Sequence, residues 1–183
     1  MKYTKLGNSG IEISRLCLGC MSFGIAGTMH NWTLDEKGTD EIVARALEHG
    51  INFFDTANCY SQGTSEEFLR NTLLKRVPRD KVVLATKVYF NEGHLSREAI
   101  LREIDGSLKR LGTDYVDLYI IHRYDKDTPV EETMEALDSL VKAGKVRALG
   151  ASAMYGYQFY NMQIAADKGG WTRYAESLQS AVP

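Results

Sequence analysis

The run Leu111-Gly112-Thr113-Asp114-Tyr115-Val116-Asp117-Leu118-Tyr119-Ile120-Ile121-His122 contains the whole logic of the chain in twelve residues. Leu111 ends a helical stripe that starts upstream at Ile100 and continues through Ile104 and Leu108. Gly112 can take the left-handed backbone that stops a helix. Val116–Ile121 is a short apolar run, rich in β-branched and aromatic residues, of the length of a buried strand. An ionisable residue, His122, follows at once. Helix, glycine stop, buried strand and polar strand end together make one unit of an alternating α/β chain.

The same unit recurs in both directions. Apolar runs at Arg15–Leu18, Ile51–Phe54 and Lys81–Thr86 precede it, and Lys145–Leu149 follows. Helical patterns separate them. Asp40–His49 buries Ile42, Val43, Ala46 and Leu47, and Ser65–Lys75 buries Phe68, Leu69, Thr72 and Leu73. Ser96 is a capping residue for the helix ending at Leu111. Thr128-Pro129-Val130-Glu131 reads as a capping box with proline at the first helical position, and that helix stops at Gly144. A fifth helix spans Tyr155–Lys168. Before all of this, Tyr3–Leu6 and Ile11–Ile13 flank Gly7-Asn8-Ser9-Gly10 as a small hairpin. Alternating strands and helices imply a parallel sheet with right-handed crossovers. No linker or composition break interrupts residues 1–183, which read as one domain.

Chemistry concentrates at the strand ends. Phe54 is followed by Asp55, Thr86 by Lys87, Ile121 by His122, and the last run leads to Ser152. These four positions lie 32, 35 and 30 residues apart. In a parallel array all of them fall on the face where barrel enzymes work. Tyr60 sits in the loop directly after Asp55. A phenol is a weak acid near neutrality, and an adjacent ammonium favours its ionised form. A carboxylate would keep that ammonium charged, and an imidazole could orient a carbonyl oxygen. Such a set suits protonation of a carbonyl oxygen while hydride from a cofactor reaches the carbon.

Composition excludes several alternatives. The 183 residues are 44% hydrophobic and 25% charged, with a formal charge of −2, which is unlike a disordered chain or one with a dedicated nucleic-acid surface. No apolar run reaches the ~20 residues of a membrane span. Three cysteines and no visible secretory leader fit a cytoplasmic protein. Cys17 and Cys20 form a CxxC, but inside the first strand and not at a helix start, which argues against a redox or metal site.

At these motifs the sequence resembles the aldo-keto reductases. The likeness runs through Leu18–Gly24, Gly50–Tyr60, Gly63–Glu67, Ala85–Lys87, Leu111–His122 and Gly144–Ser152. It implies an α/β fold of the (β/α)8 TIM-barrel type with an N-terminal β-hairpin, and NADP(H)-dependent reduction of aldehydes and ketones. On that resemblance Tyr60 is the proton donor, Lys87 lowers its pKa, Asp55 partners Lys87, and His122 orients the carbonyl of a small-molecule substrate. Gly19, Met21, Asp55, Ser152 and Gln179 fall at cofactor-contacting positions, and no metal is implied. One departure is Ala153, where the family often has Asn. The other is length. Five to six βα units are legible, and Glu176–Gln179 reads as the start of a sixth strand, so the barrel is expected to be incomplete. Open sheet edges would then invite pairing of two copies. A non-catalytic interaction module and an inactive fragment are the alternative readings.

Overall fold

A computed structural model describes residues 1–178. In chain order the elements are β1 (Tyr3–Lys5), β2 (Glu12–Ser14), β3 (Cys17–Gly19), α1 (Glu36–Glu48), β4 (Phe53–Asp55), α2 (Thr64–Thr72), β5 (Val83–Val88), α3 (Arg97–Leu111), β6 (Val116–Ile121), α4 (Val130–Lys142), β7 (Val146–Ser152), α5 (Gly156–Gly169) and β8 (Tyr174–Leu178). β1 and β2 pair antiparallel as a hairpin. β3 to β8 form one parallel sheet whose spatial order is the chain order. The architecture is α/β, six consecutive strands of a (β/α)8 barrel with a helix after each of the first five.

Two apolar layers hold the sheet. Phe54, Leu84, Tyr119 and Leu149 face outward into a core shared with Leu69, Ile104 and Leu137 of the helices. The opposite face carries Phe53, Val83, Ala85, Leu118, Ile120 and Ala148, packed with Leu6, Ile11 and Ile13 of the hairpin. Each fully buried side chain of this size contributes about 1.5–3 kcal/mol relative to exposure. The hairpin therefore closes the floor of the inner face. Asn52 fastens it there: its side-chain oxygen accepts from the Ser14 amide at 2.6 Å, and its own amide donates to Ser14 Oγ at 3.1 Å. Gly7 has φ +49°, and a Cβ there would lie 1.9 Å from the Ala175 carbonyl oxygen, so glycine lets the hairpin turn pass beneath β8.

One buried carboxylate ties three strands together. Asp117 accepts from Arg79 at 2.7 Å, from Arg147 at 2.6 Å and from the Leu84 amide at 3.0 Å. Its charge is thereby compensated inside the sheet.

Element limits differ from the sequence reading where local chemistry competes. α1 begins at Glu36 and not Asp40, because Asp35 Oδ1 accepts from the Gly38 amide at 2.8 Å and caps a first turn that contains a glycine. α3 keeps the limits read from sequence: it starts after Ser96, whose hydroxyl accepts from the Ala99 amide, and ends at a left-handed Gly112. The expected capping box before α4 does not form. The Thr128 hydroxyl donates instead to Asp125 at 2.7 Å, a buried carboxylate that also accepts from the Leu95 amide, and Pro129 becomes the helix flank. No helix among the described residues is long and apolar enough to cross a membrane.

Candidate active site

Strand alternation explains how residues far apart in sequence meet. Phe53 and Asp55 point to the inner face, as do Val83, Ala85 and Lys87, then Leu118, Ile120 and His122, and then Ala148, Gly150 and Ser152. Registry staggers them upward around the sheet. Gly19 and Asp55 are level with Ala85, Lys87 is level with Ile120, and the Ile121–Ala151 pair puts His122 beside Ser152. Each ionisable residue is the first inward position above the apolar plug of its strand.

Lys87 is the hub. Its Nζ donates to Asp55 Oδ1, to the Thr56 carbonyl oxygen at 2.9 Å and to the Tyr60 hydroxyl at 3.1 Å. His122 completes the group: its ring meets the Tyr60 ring edge-on, with centroids 5.7 Å apart. Phe90 also packs edge-on against His122, with centroids 5.0 Å apart. The four side chains proposed from sequence thus surround one spot.

Tyr60 is aimed by a strained turn. Ser61 and Gln62 both adopt left-handed backbone, at φ 46° and 56°. Such a non-glycine pair persists only where surroundings over-determine it. Here Thr64 Oγ1 donates to the Ser61 carbonyl at 2.7 Å and accepts from the Ile25 amide at 3.1 Å, stitching the loop after β3 onto the turn. Gly24 permits that contact, since a Cβ there would lie 2.3 Å from Ser61 Cβ.

Burial sets the protonation states. It raises the Tyr60 phenol above its ordinary value, and the attraction of Lys87 only partly offsets this. The sequence expectation that Lys87 lowers the phenol is therefore right in sign for the pair and reversed in net effect, because desolvation is the larger force. Burial pulls Lys87 down, but the charges of Asp55 and Tyr60 overcome it, so the ammonium persists. Burial likewise raises Asp55, against the pull of Lys87. His122 is lowered to about 4 by burial, then by the nearby Lys87 and Arg123, so its ring is neutral near pH 7.

Several features were not legible in the sequence. Cys59 Sγ lies 3.8 Å from His122 Nδ1. Burial raises the Cys59 thiol, which keeps the proton on sulfur. The Thr56 carbonyl as a third Lys87 acceptor had no sequence signal at all. Trp32, in the loop after β3, stacks on His30 with centroids 4.3 Å apart and stays exposed.

The cofactor-contacting candidates divide. Gly19 lies level with Asp55, and the space its missing Cβ would fill is open for 4 Å. Met21 is exposed on the adjoining loop, and Ser152 is half-buried with no side-chain hydrogen bond among the described residues. Gln179 lies outside the described residues. Ala153 has φ 46°, a conformation asparagine tolerates better than alanine, which gives a backbone reason for the residue expected there. Among the described residues no cluster of His, Cys, Asp and Glu could hold a metal ion. Cys17 is exposed and Cys20 buried, and no disulfide joins them.

The model of the Aldo/keto reductase family matches residues 15–174. This chain belongs to the aldo/keto reductase family. Among its relatives, Aldo-keto reductase AFTS1 of Alternaria alternata is 39% identical over 208 residues, covering 97% of this chain and 56% of the relative. Versiconal hemiacetal acetate reductase of Aspergillus parasiticus is 39% identical over 198 residues, covering 95% of this chain and 57% of the relative. A solved structure, the thermostable aldo-keto reductase Tm1743 in complex with the inhibitor epalrestat, superposes with a TM-score of 0.82 at 31% identity, covering 98% of this chain and 62% of that one. The chain thus spans somewhat more than half the length of these aldo-keto reductases.

Proposed function

We propose that this aldo-keto reductase chain carries the proton-transfer half of an NADP(H)-dependent carbonyl reductase, with Tyr60 as proton donor. The observation that carries this reading is the Lys87 hub, which hydrogen-bonds Asp55 and Tyr60 while the His122 ring packs edge-on against Tyr60.

The residues fit a nicotinamide dinucleotide. Space above Gly19 is open, the Ser152 hydroxyl lacks a partner among the described residues, and both lie on the rim that holds the tetrad. Gly19, Met21, Asp55 and Ser152 would line that side. When bound, the reduced cofactor supplies hydride to the carbonyl carbon and is itself oxidised.

The chain's own groups do the rest. Neutral His122 donates a hydrogen bond to the carbonyl oxygen and fixes its place. As the C=O π pair moves onto that oxygen, the Tyr60 hydroxyl gives it a proton. The phenolate left behind is stabilised by the Lys87 ammonium 3.1 Å away. Asp55 keeps Lys87 charged and aimed throughout. A small carbonyl compound is the substrate, and a cytoplasmic setting suits the composition.

The test separates binding from turnover. NADPH affinity is measured by fluorescence titration and carbonyl reduction by NADPH absorbance, for the 183-residue chain and for Tyr60→Phe. The expected result is unchanged cofactor affinity with turnover reduced at least about a hundredfold, the range for loss of a general acid. Full turnover by Tyr60→Phe contradicts the assignment. Cofactor binding without turnover in the unaltered chain instead favours a non-catalytic role.

A further inference from the structure

We infer that the cavity beside the tetrad is an acid-reading pocket, selecting carbonyl compounds that carry a carboxylate on an aromatic ring, with Arg123 and Lys126 as the groups that recognise the charge. The inference deepens the reductase reading and rests on it.

A cavity of about 530 Å³ opens where the loops after β5, β6 and β7 meet, within the size range of small-molecule sites. Tyr89, Tyr124 and Met154 give it flat and soft apolar walls, and Arg123, Lys126 and Asp127 lie on its wall as well. Two cations against one carboxylate leave a net positive site. Neither cation has an ion-pair partner among the described residues. The Arg123 guanidinium rests only on the Phe90 ring, 5.4 Å from its centroid.

Phe90 is the link to the chemistry. Arg123 uses the face of its ring while His122 packs against it edge-on at 5.0 Å. Arg123 and His122 thus both neighbour the one Phe90 ring. In this proposal a molecule that offers its carbonyl oxygen to Tyr60 and His122 lays its body along Phe90. Its far end then reaches Arg123. An aromatic ring fits that path by stacking with Tyr89 and Tyr124. A carboxylate at the far end matches the fork of a guanidinium, with Lys126 adding a second charge. A neutral ester in the same place would leave both cations unanswered.

The test uses 4-acetylbenzoate and its methyl ester as probes, with equilibrium binding to the 183-residue chain followed by ligand-observed NMR in the absence of cofactor. The acid should bind at least about tenfold more tightly than the ester, equivalent to 1.4 kcal/mol. In Arg123→Gln/Lys126→Gln the acid-to-ester ratio should fall to within about twofold, with circular dichroism confirming that the variant is folded. Equal affinity for acid and ester, no binding of either, or a preference that survives in the double variant overturns the inference. Turnover of both probes with NADPH is measured in parallel. Acid-selective binding without turnover would refute the reductase reading and leave the pocket standing. Turnover without acid preference would do the reverse.

Discussion

Replacing Lys87 with methionine probes the physics on which the site depends. The Lys87 side chain is 6% exposed and that of Asp55 18%. Deleting one partner of a buried ion pair leaves a charge without compensation and costs roughly 3–5 kcal/mol. Asp55 retains some water, so Lys87→Met belongs at the low end, about 3 kcal/mol. Asp55→Asn should cost less, about 2 kcal/mol, because the ammonium keeps Thr56 O and the Tyr60 hydroxyl as acceptors. The double variant buries no charge and should cost no more than about 2 kcal/mol, giving a coupling near 3 kcal/mol. Urea unfolding of all four proteins at pH 7 supplies the numbers, with constant m-values as the control for an unchanged unfolding transition. The Lys87→Met penalty should also shrink as pH is lowered. Asp55, already raised by burial, loses its counter-ion in that variant, so the folded state takes up a proton more readily than the unfolded one and gains stability in acid. Penalties that add to within about 0.5 kcal/mol would show that the pair is solvated and that Lys87 is not held as described.

Three further outcomes are expected. His122 has a folded value of about 4 against an ordinary 6.5, so the unfolded chain binds the extra proton between those limits. Its contribution to stability is complete above pH 6.5 and is lost as pH falls toward 4; urea midpoints at pH 7.5 and 5 should differ less in His122→Gln than in the parent. Ala153→Gly should stabilise by about 0.5–1 kcal/mol, since relief of left-handed strain outweighs the entropy of a new glycine, and thermal unfolding should rise by a few degrees. Gly24→Ala should destabilise by about 3 kcal/mol, because its Cβ would collide with Ser61, and urea unfolding would read the loss.

The candidate site was legible because strand alternation is a period of two and the polar residues fall on it. Asp55, Lys87 and His122 each follow an apolar run that could only be a buried strand, and the parallel arrangement then brings their ends to one rim. Ser152 follows the same rule, although its strand proved longer than its apolar run, because Gly150 and Ala151 are too small to announce a strand. What was hidden depends on tertiary contact. Cys59 acquires its relation to His122 only when two loops 63 positions apart touch. The net upward shift of Tyr60 depends on how deeply the ring is buried, which spacing does not record. Thr128 was misread as a cap because a free hydroxyl before a helix normally serves the backbone; a nearby buried carboxylate is a stronger acceptor.

The inner face of the sheet draws Leu6, Ile11 and Ile13 from the hairpin and Leu118, Ile120 and Ala148 from strands far down the chain. During synthesis the first three leave the ribosome long before the last three exist. At roughly 5–20 residues per second, the hairpin waits on the order of ten seconds for the partners that shelter it from water. Its sticky side chains are thus on offer to chaperones, or to another nascent copy, until those later strands emerge.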